Sequence, residues 1–193
     1  YRETTKGTRL VNTNMFDLKI ALRKKVKSQI HATDNIQETK DNLKTLGLYE
    51  KYYKRKEFKS ISEVFDVLNE SKGFEYVIMR NFEGIPGDIT IDEHLDVDLL
   101  VNDYYMAKCI LDASCVINPP GGGSRYEDGG YRILNSVRIG GHEVWFDLRY
   151  LGDNYYDINL EKEILNKRIP CKNFYIPRAN TYKHSLIYHA LVH

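Results

Sequence analysis

Leu95-Asp96-Val97-Asp98-Leu99-Leu100-Val101, taken with Val144-Trp145-Phe146-Asp147-Leu148, sets three carboxylates inside otherwise apolar, strand-prone segments. Side chains alternate sides along an extended chain, so Asp96 and Asp98 share one face while Val97, Leu99 and Val101 take the other. Asp147 sits in a second run of the same kind and can stand beside them on a neighbouring strand. Three convergent oxygen ligands are what a hard divalent cation, Mg2+ or Mn2+, requires, with water and substrate phosphate completing its shell. From sequence alone, this is the one place where charge is expected to stand against the core.

The flanking sequence supplies the elements around this pair. Ser60 or Ser62 caps an amphipathic helix lined by Ile61, Val64, Phe65 and Leu68 and ended by Gly73. Tyr76 to Met79 reads as a central strand running into Arg80-Asn81 and a Pro/Gly turn at Pro86-Gly87. Asp103 caps a helix to Leu111, and Cys115 to Ile117 reads as a short strand. A loop rich in Gly and Pro over 119–130 precedes two strands, Tyr131–Ile139 and His142–Tyr150, paired around Gly140-Gly141. Leu160–Lys167 is a short helix, Phe174–Pro177 an extended piece and Thr181–His193 a last helix.

Residues 1–59 are polar and basic and read as a small accessory α/β or helical lobe with a linker, leaving 60–193 as the main domain. Asn14 or Thr13 caps a helix through Val26, Ser28 to Ala32 reads as a short strand, and Thr33 to Glu38 opens a helix that Gly47 closes. The run Lys51 to Lys59 reads as a solvated linker.

Composition excludes several classes. At 193 residues, 42% hydrophobic and 28% charged, the chain suits a globular protein with a real core. A formal charge of +1 gives no general pull towards nucleic acid or membrane. The 15 tyrosines suit half-buried sheet positions. Three cysteines without CxxC spacing make neither a disulfide framework nor a zinc knuckle, so a reducing, cytoplasmic setting is the expectation. No apolar run reaches the roughly 20 residues of a membrane span. The missing initiator Met, and an end at His193 inside an apolar helical pattern, lead us to expect a piece of a longer polypeptide with neighbouring domains.

The order helix, strand, polar turn, Asp-x-Asp strand, helix and hairpin bearing a third Asp resembles the nucleotidyltransferase superfamily, the fold of polymerase-beta-like enzymes. The resemblance spans roughly residues 60–150 and is nearest to the nucleotidyltransferase-like proteins of capsule, teichoic acid and other glycan pathways, through phrases such as "YVIMRNFEG" and "DVDLLV". It implies an α/β (α+β) fold, a mixed sheet of about four or five strands flanked by helices. It implies that Asp96, Asp98 and Asp147 carry Mg2+ or Mn2+, Asp147 serving as third ligand or as base for an acceptor hydroxyl. It further implies a nucleotide or sugar-phosphate substrate, a glycan acceptor, and transfer of a nucleotidyl or phosphoryl-alcohol group. One departure stands out: the family carries Gly-Gly or Gly-Ser at the turn after the first strand, where this chain has Arg80-Asn81. Arg80 can clamp phosphate through its planar fork and Asn81 adds a donor. Arg149 and Lys108 are further candidates for phosphate.

Two rivals follow from the same residues. A degenerate module would bind nucleotide or glycan without turnover. An Asp-x-Asp glycosyltransferase places its acids past the end of an apolar strand, whereas here Leu99-Leu100-Val101 follows the pair. A metal-dependent nuclease lacks its Glu-x-Lys, because Leu148-Arg149 follows Asp147. Gly121-Gly122-Gly123-Ser124 lacks the trailing Gly-Lys-Ser/Thr of a phosphate loop. His184, His189 and His193 on the last helix have no Glu spaced for a zinc protease.

Overall fold

The computed structural model describes residues 1–4, 7–26, 31–85, 96–115 and 134–192. The chain divides into two compact units, Tyr1–Arg55 and Lys56–His193.

The first unit opens on a hairpin, β1 (Arg2–Thr4) against β2 (Gly7–Arg9), which the sequence reading leaves out. Helix α1 (Thr13–Val26) is capped one residue earlier than expected, for the Asn12 side chain accepts the Met15 N–H at 3.1 Å. In α2 (Ile36–Thr45) Asn35 accepts the Glu38 N–H, while the Glu38 carboxylate accepts the Asp34 N–H at 2.5 Å. Gly47 follows at φ +66, a left-handed conformation that glycine enters at no steric cost. One short turn, α3 (Tyr49–Tyr52), completes the unit. The strand expected over Ser28 to Ala32 falls partly outside the described residues. His31 and Ala32 are in no strand, and the Ala32 carbonyl accepts from the Lys19 ammonium at 3.1 Å instead of joining a ladder.

The second unit is a mixed sheet flanked by helices, as the sequence leads one to expect at the level of class. Its strands are β3 (Glu57–Phe58), β4 (Tyr76–Ile78), β5 (Asp96–Val101), β6 (Ser114–Cys115), β7 (Leu134–Ile139) and β8 (His142–Tyr150). They run in the order β3-β7-β8-β5-β4, with β6 also paired to β7, giving six among the described residues. β5 is parallel to β8 and antiparallel to β4; β7 and β8 form the antiparallel hairpin read from Gly140-Gly141. β3 lies in the run taken as linker. Phe58, fully buried, pairs in parallel with Ile139 at the sheet edge.

Each sheet face has its own cover. On one, Val97, Leu99 and Val101 of β5 and Val144, Phe146 and Leu148 of β8 pack against α4 (Ile61–Glu70) and α5 (Tyr104–Leu111). Burying one such side chain is worth about 1.5–3 kcal/mol, which pins the register of both strands. Ser60 caps α4 and Asp103 caps α5, each accepting a main-chain N–H three residues on. On the other face, Val77, Met79 and Leu100 pack with Tyr156 and with Ile164 and Leu165 of α6 (Ile158–Asn166). A two-stranded ribbon, β9 (Ile169–Cys171) with β10 (Phe174–Ile176), leads into α7 (Ala179–Val192). Among the described residues no helix is long and apolar enough to cross a membrane. The turn at Pro86-Gly87, the loop over 119–130 and Val116 to Ile117 lie outside the described residues.

Candidate functional site

Parallel pairing of β5 with β8 sets Asp98 directly opposite Asp147, and Asp96 opposite Trp145. Strand alternation then gathers Asp96, Asp98 and Asp147 on the face that carries Leu100 and Val77, across the sheet from α4 and α5. The three acids named from sequence thus share one face of the sheet, with Asp98 and Asp147 in register. Asp98 is 5% exposed and Asp147 2%, while Asp96, at the first residue of β5, is half-buried. The strand register that holds the apolar residues inward leaves these carboxylates no other side to take.

Two arginines answer them. Arg80, just beyond β4, forks onto Asp98: Nε donates to Oδ2 at 3.1 Å and an Nη donates to Oδ1 at 2.8 Å. Its main chain is set by Met79, whose N–H donates to the Asp98 carbonyl at 2.9 Å, so β4 delivers Arg80 beside that acid. Asn81 follows at φ +57, in the left-handed region that Asn tolerates better than most side chains, and it is exposed. Asn81 therefore supplies a left-handed backbone bend directly after Arg80.

Arg149 lies two residues beyond Asp147 on the same face. Its Nε is 3.6 Å from Asp147 Oδ1, its Nη1 is 3.5 Å from Asp153 Oδ2, and its guanidinium carbon stands 3.7 Å from the Tyr155 ring centre. The Tyr155 hydroxyl in turn meets His189 Nδ1 of α7 at 2.7 Å. Arg149 is 6% exposed and held on three sides by Asp147, Asp153 and Tyr155. Lys108 is on α5, which packs on the opposite face, and its ammonium stands over the Tyr104 ring at 5.5 Å. The structure does not bring Lys108 to the carboxylates.

Sequence reasoning missed Asp153, Tyr155 and Glu161. Asp153 accepts the Tyr155 N–H at 2.9 Å in the turn after β8, and Glu161, fully buried, accepts the Gly152 N–H at 2.7 Å. Nothing in their spacing marks them, because Glu161 reads as an ordinary acid in the first turn of a helix.

Charge is out of balance here. Four carboxyl groups, Asp96, Asp98, Asp147 and Asp153, stand with two guanidinium groups, Arg80 and Arg149. Burial pushes the Asp98 carboxyl above its ordinary range; the Arg80 bond and charge pull the other way, and Asp147 and Asp96 add to the rise. Burial also lifts Glu161 to about 7, helped by Asp153 and opposed by the Gly152 N–H. Tyr156, buried beside Tyr155, is pushed up to about 12. Arg80 loses by burial but gains more from Asp98, which holds its proton more firmly.

The donors fit a hard divalent cation in kind: carboxylate oxygens, on one face, with more negative charge than the resident arginines cancel. Among the described residues no three such side chains are gathered tightly enough to hold an ion as they stand, and Arg80 engages both oxygens of Asp98. Neither Cys109 nor Cys171 is in a disulfide. No family model matches the chain, and no curated protein or solved structure matches it either.

Proposed function

We propose that this chain is a Mg2+- or Mn2+-dependent transferase of a nucleotidyl or phosphoryl-alcohol group, acting on a nucleotide or sugar-phosphate with a glycan hydroxyl as acceptor. The observation that carries the reading is the register of Asp98 against Asp147 on adjacent parallel strands, with Asp96 on the same face. In this reading Asp96, Asp98 and Asp147 hold the cation, and Arg80 with Asn81 meets the phosphate. When bound, the ion neutralises charge on the attacking and leaving oxygens. The chain's own contribution is alignment: buried strands fix the acids, and Arg149, locked between Asp147, Asp153 and Tyr155, keeps Asp147 in place. Asp96 and Asp98 lie within β5, with Leu99, Leu100 and Val101 continuing the strand after them, which favours this class over a sugar-nucleotide glycosyltransferase.

A second reading rests on the two-point hold of Arg80 on Asp98, which gives the acid a counter-ion from within the chain. Under it the module binds nucleotide or glycan without turning it over.

Thermal unfolding with Mn2+ and a panel of nucleotides separates the readings, followed by mass analysis of products with sugar acceptors. The transferase is stabilised by metal plus one nucleotide and forms a product, and Asp98→Asn abolishes both. Equal stabilisation of parent and variant removes the metal-site assignment, and binding without product supports the non-catalytic module.

A further inference from the structure

The formal charge of +1 is the sum of two unlike parts. Tyr1–Arg55 carries 13 Lys and Arg against 6 Asp and Glu, a formal +7, whereas Lys56–His193 carries 15 against 21, a formal −6. A surplus of that size in so short a unit draws anionic partners to it.

The same unit leaves an apolar face in water. Met15, Leu18, Leu22 and Val26 of α1 are exposed by 41%, 50%, 37% and 55%. At steps of three and four they fall within about a quarter of the helix circumference. The residues that α1 turns inward are Phe16, Lys19 and Ile20, half-buried or buried, so the exposed stripe takes no part in the packing of its own unit. Arg23 and Lys25, both exposed, border the stripe on its two sides by the same geometry. Asp17, the one acid of α1, lies away from the stripe and pairs with Arg2.

Charge and apolar surface together select the occupant. A second copy would set Arg23 and Lys25 against like charges, with no acid at either border to answer them. A nucleic acid would answer the charge and leave four apolar side chains in water. An acidic helix would answer the border alone, while Arg9, Lys44, Lys51 and Lys54 stand exposed elsewhere in the unit. An anionic lipid layer answers both features: the stripe enters the acyl boundary, and the surface potential draws the spread of cations.

We propose that the first unit docks on an anionic lipid surface, α1 lying in the headgroup plane with Met15, Leu18, Leu22 and Val26 turned into the membrane. Docking of this kind is independent of the chemistry proposed for the carboxylate face.

The test is flotation of the full chain with vesicles of phosphatidylcholine and phosphatidylserine, against vesicles of phosphatidylcholine alone. The parent should float with the mixed vesicles, lose binding as NaCl rises, and stay behind with the neutral ones. Leu18→Ser with Leu22→Ser, at exposed positions, should weaken binding at least about tenfold, because two apolar side chains no longer gain by leaving water. Arg23→Gln with Lys25→Gln keeps the stripe and should weaken it about fivefold for each charge removed, which serves if the serine pair unsettles the helix. No flotation by the parent, or flotation that the serine pair leaves unchanged, overturns the proposal. So does a single-stranded oligonucleotide bound more tightly than the mixed vesicles and equally by parent and serine pair, which would assign the charge to nucleic acid. Self-association in sedimentation that the serine pair abolishes would give the stripe to a second copy and overturn it too.

Discussion

Glu161 ties the stability of the sheet unit to pH in a direction opposite to that of most carboxylates. Its side chain is fully buried in the first turn of α6, where burial and the neighbouring Asp153 carboxyl raise its pKa from 4.5 to about 7 against the pull of the Gly152 N–H. Below about pH 4.5 the group is protonated in both folded and unfolded chains. Between there and about pH 7 the folded chain keeps its proton while the unfolded chain has released it. The unfolded state then binds fewer protons, so stability falls as pH rises and levels off above the folded value. At about 1.4 kcal/mol for each tenfold change in proton affinity, the span from 4.5 to about 7 sets a ceiling of about 3 kcal/mol. Glu161→Gln keeps the shape and cannot ionise, so the parent-minus-variant difference isolates this group. Trp145, the single tryptophan, lies on β8 and reports on this unit alone. Urea unfolding followed by its emission, from pH 5 to pH 8, should show the parent losing 2–3 kcal/mol relative to Glu161→Gln, the working range for a shift of this size. A flat difference, or one that grows with pH, refutes the assignment of a buried, proton-retaining Glu161.

Other consequences follow from the same geometry. Arg149→Lys keeps the charge but cannot span Asp147 and Asp153 while stacking on Tyr155, so urea unfolding should show a loss of roughly 1–3 kcal/mol. No loss would mean that the ring contact and the two ion pairs carry no net stability. Lys108→Ala should leave the Mn2+ and nucleotide response in thermal unfolding unchanged, since α5 covers the other face of the sheet; a lost response would place Lys108 in the site after all. Leu99→Ala empties a fully buried position on β5, paired with Leu148 of β8 and packed in the core beneath α4 and α5, and should cost about 2–5 kcal/mol in urea unfolding.

The sequence by itself determined the elements that hold the acids. Alternation along Asp96–Val101 and His142–Tyr150, the glycines at the hairpin, and the caps Ser60 and Asp103 are local signals that need no partner to be read. They located the helices α4 and α5 and the hairpin, and they set Asp96 and Asp98 on one side of their strand. Elements without a period of their own went unseen: the β1–β2 hairpin, the four-residue α3, and β3, where two residues become a strand only because Ile139 and Arg138 lie alongside.

Tertiary structure alone decided which groups meet. Asp147 reaches Asp98 through parallel pairing between strands more than forty residues apart in sequence, and that register is set by the apolar faces packing on α4 and α5. Nothing local could show that Arg80 would spend its fork on Asp98, that Arg149 would be enclosed by Asp153 and Tyr155, or that Lys108 would face away. Side-chain period is a property of a strand and can be read along it; charge pairing depends on distances between strands, and those exist only once the sheet has closed.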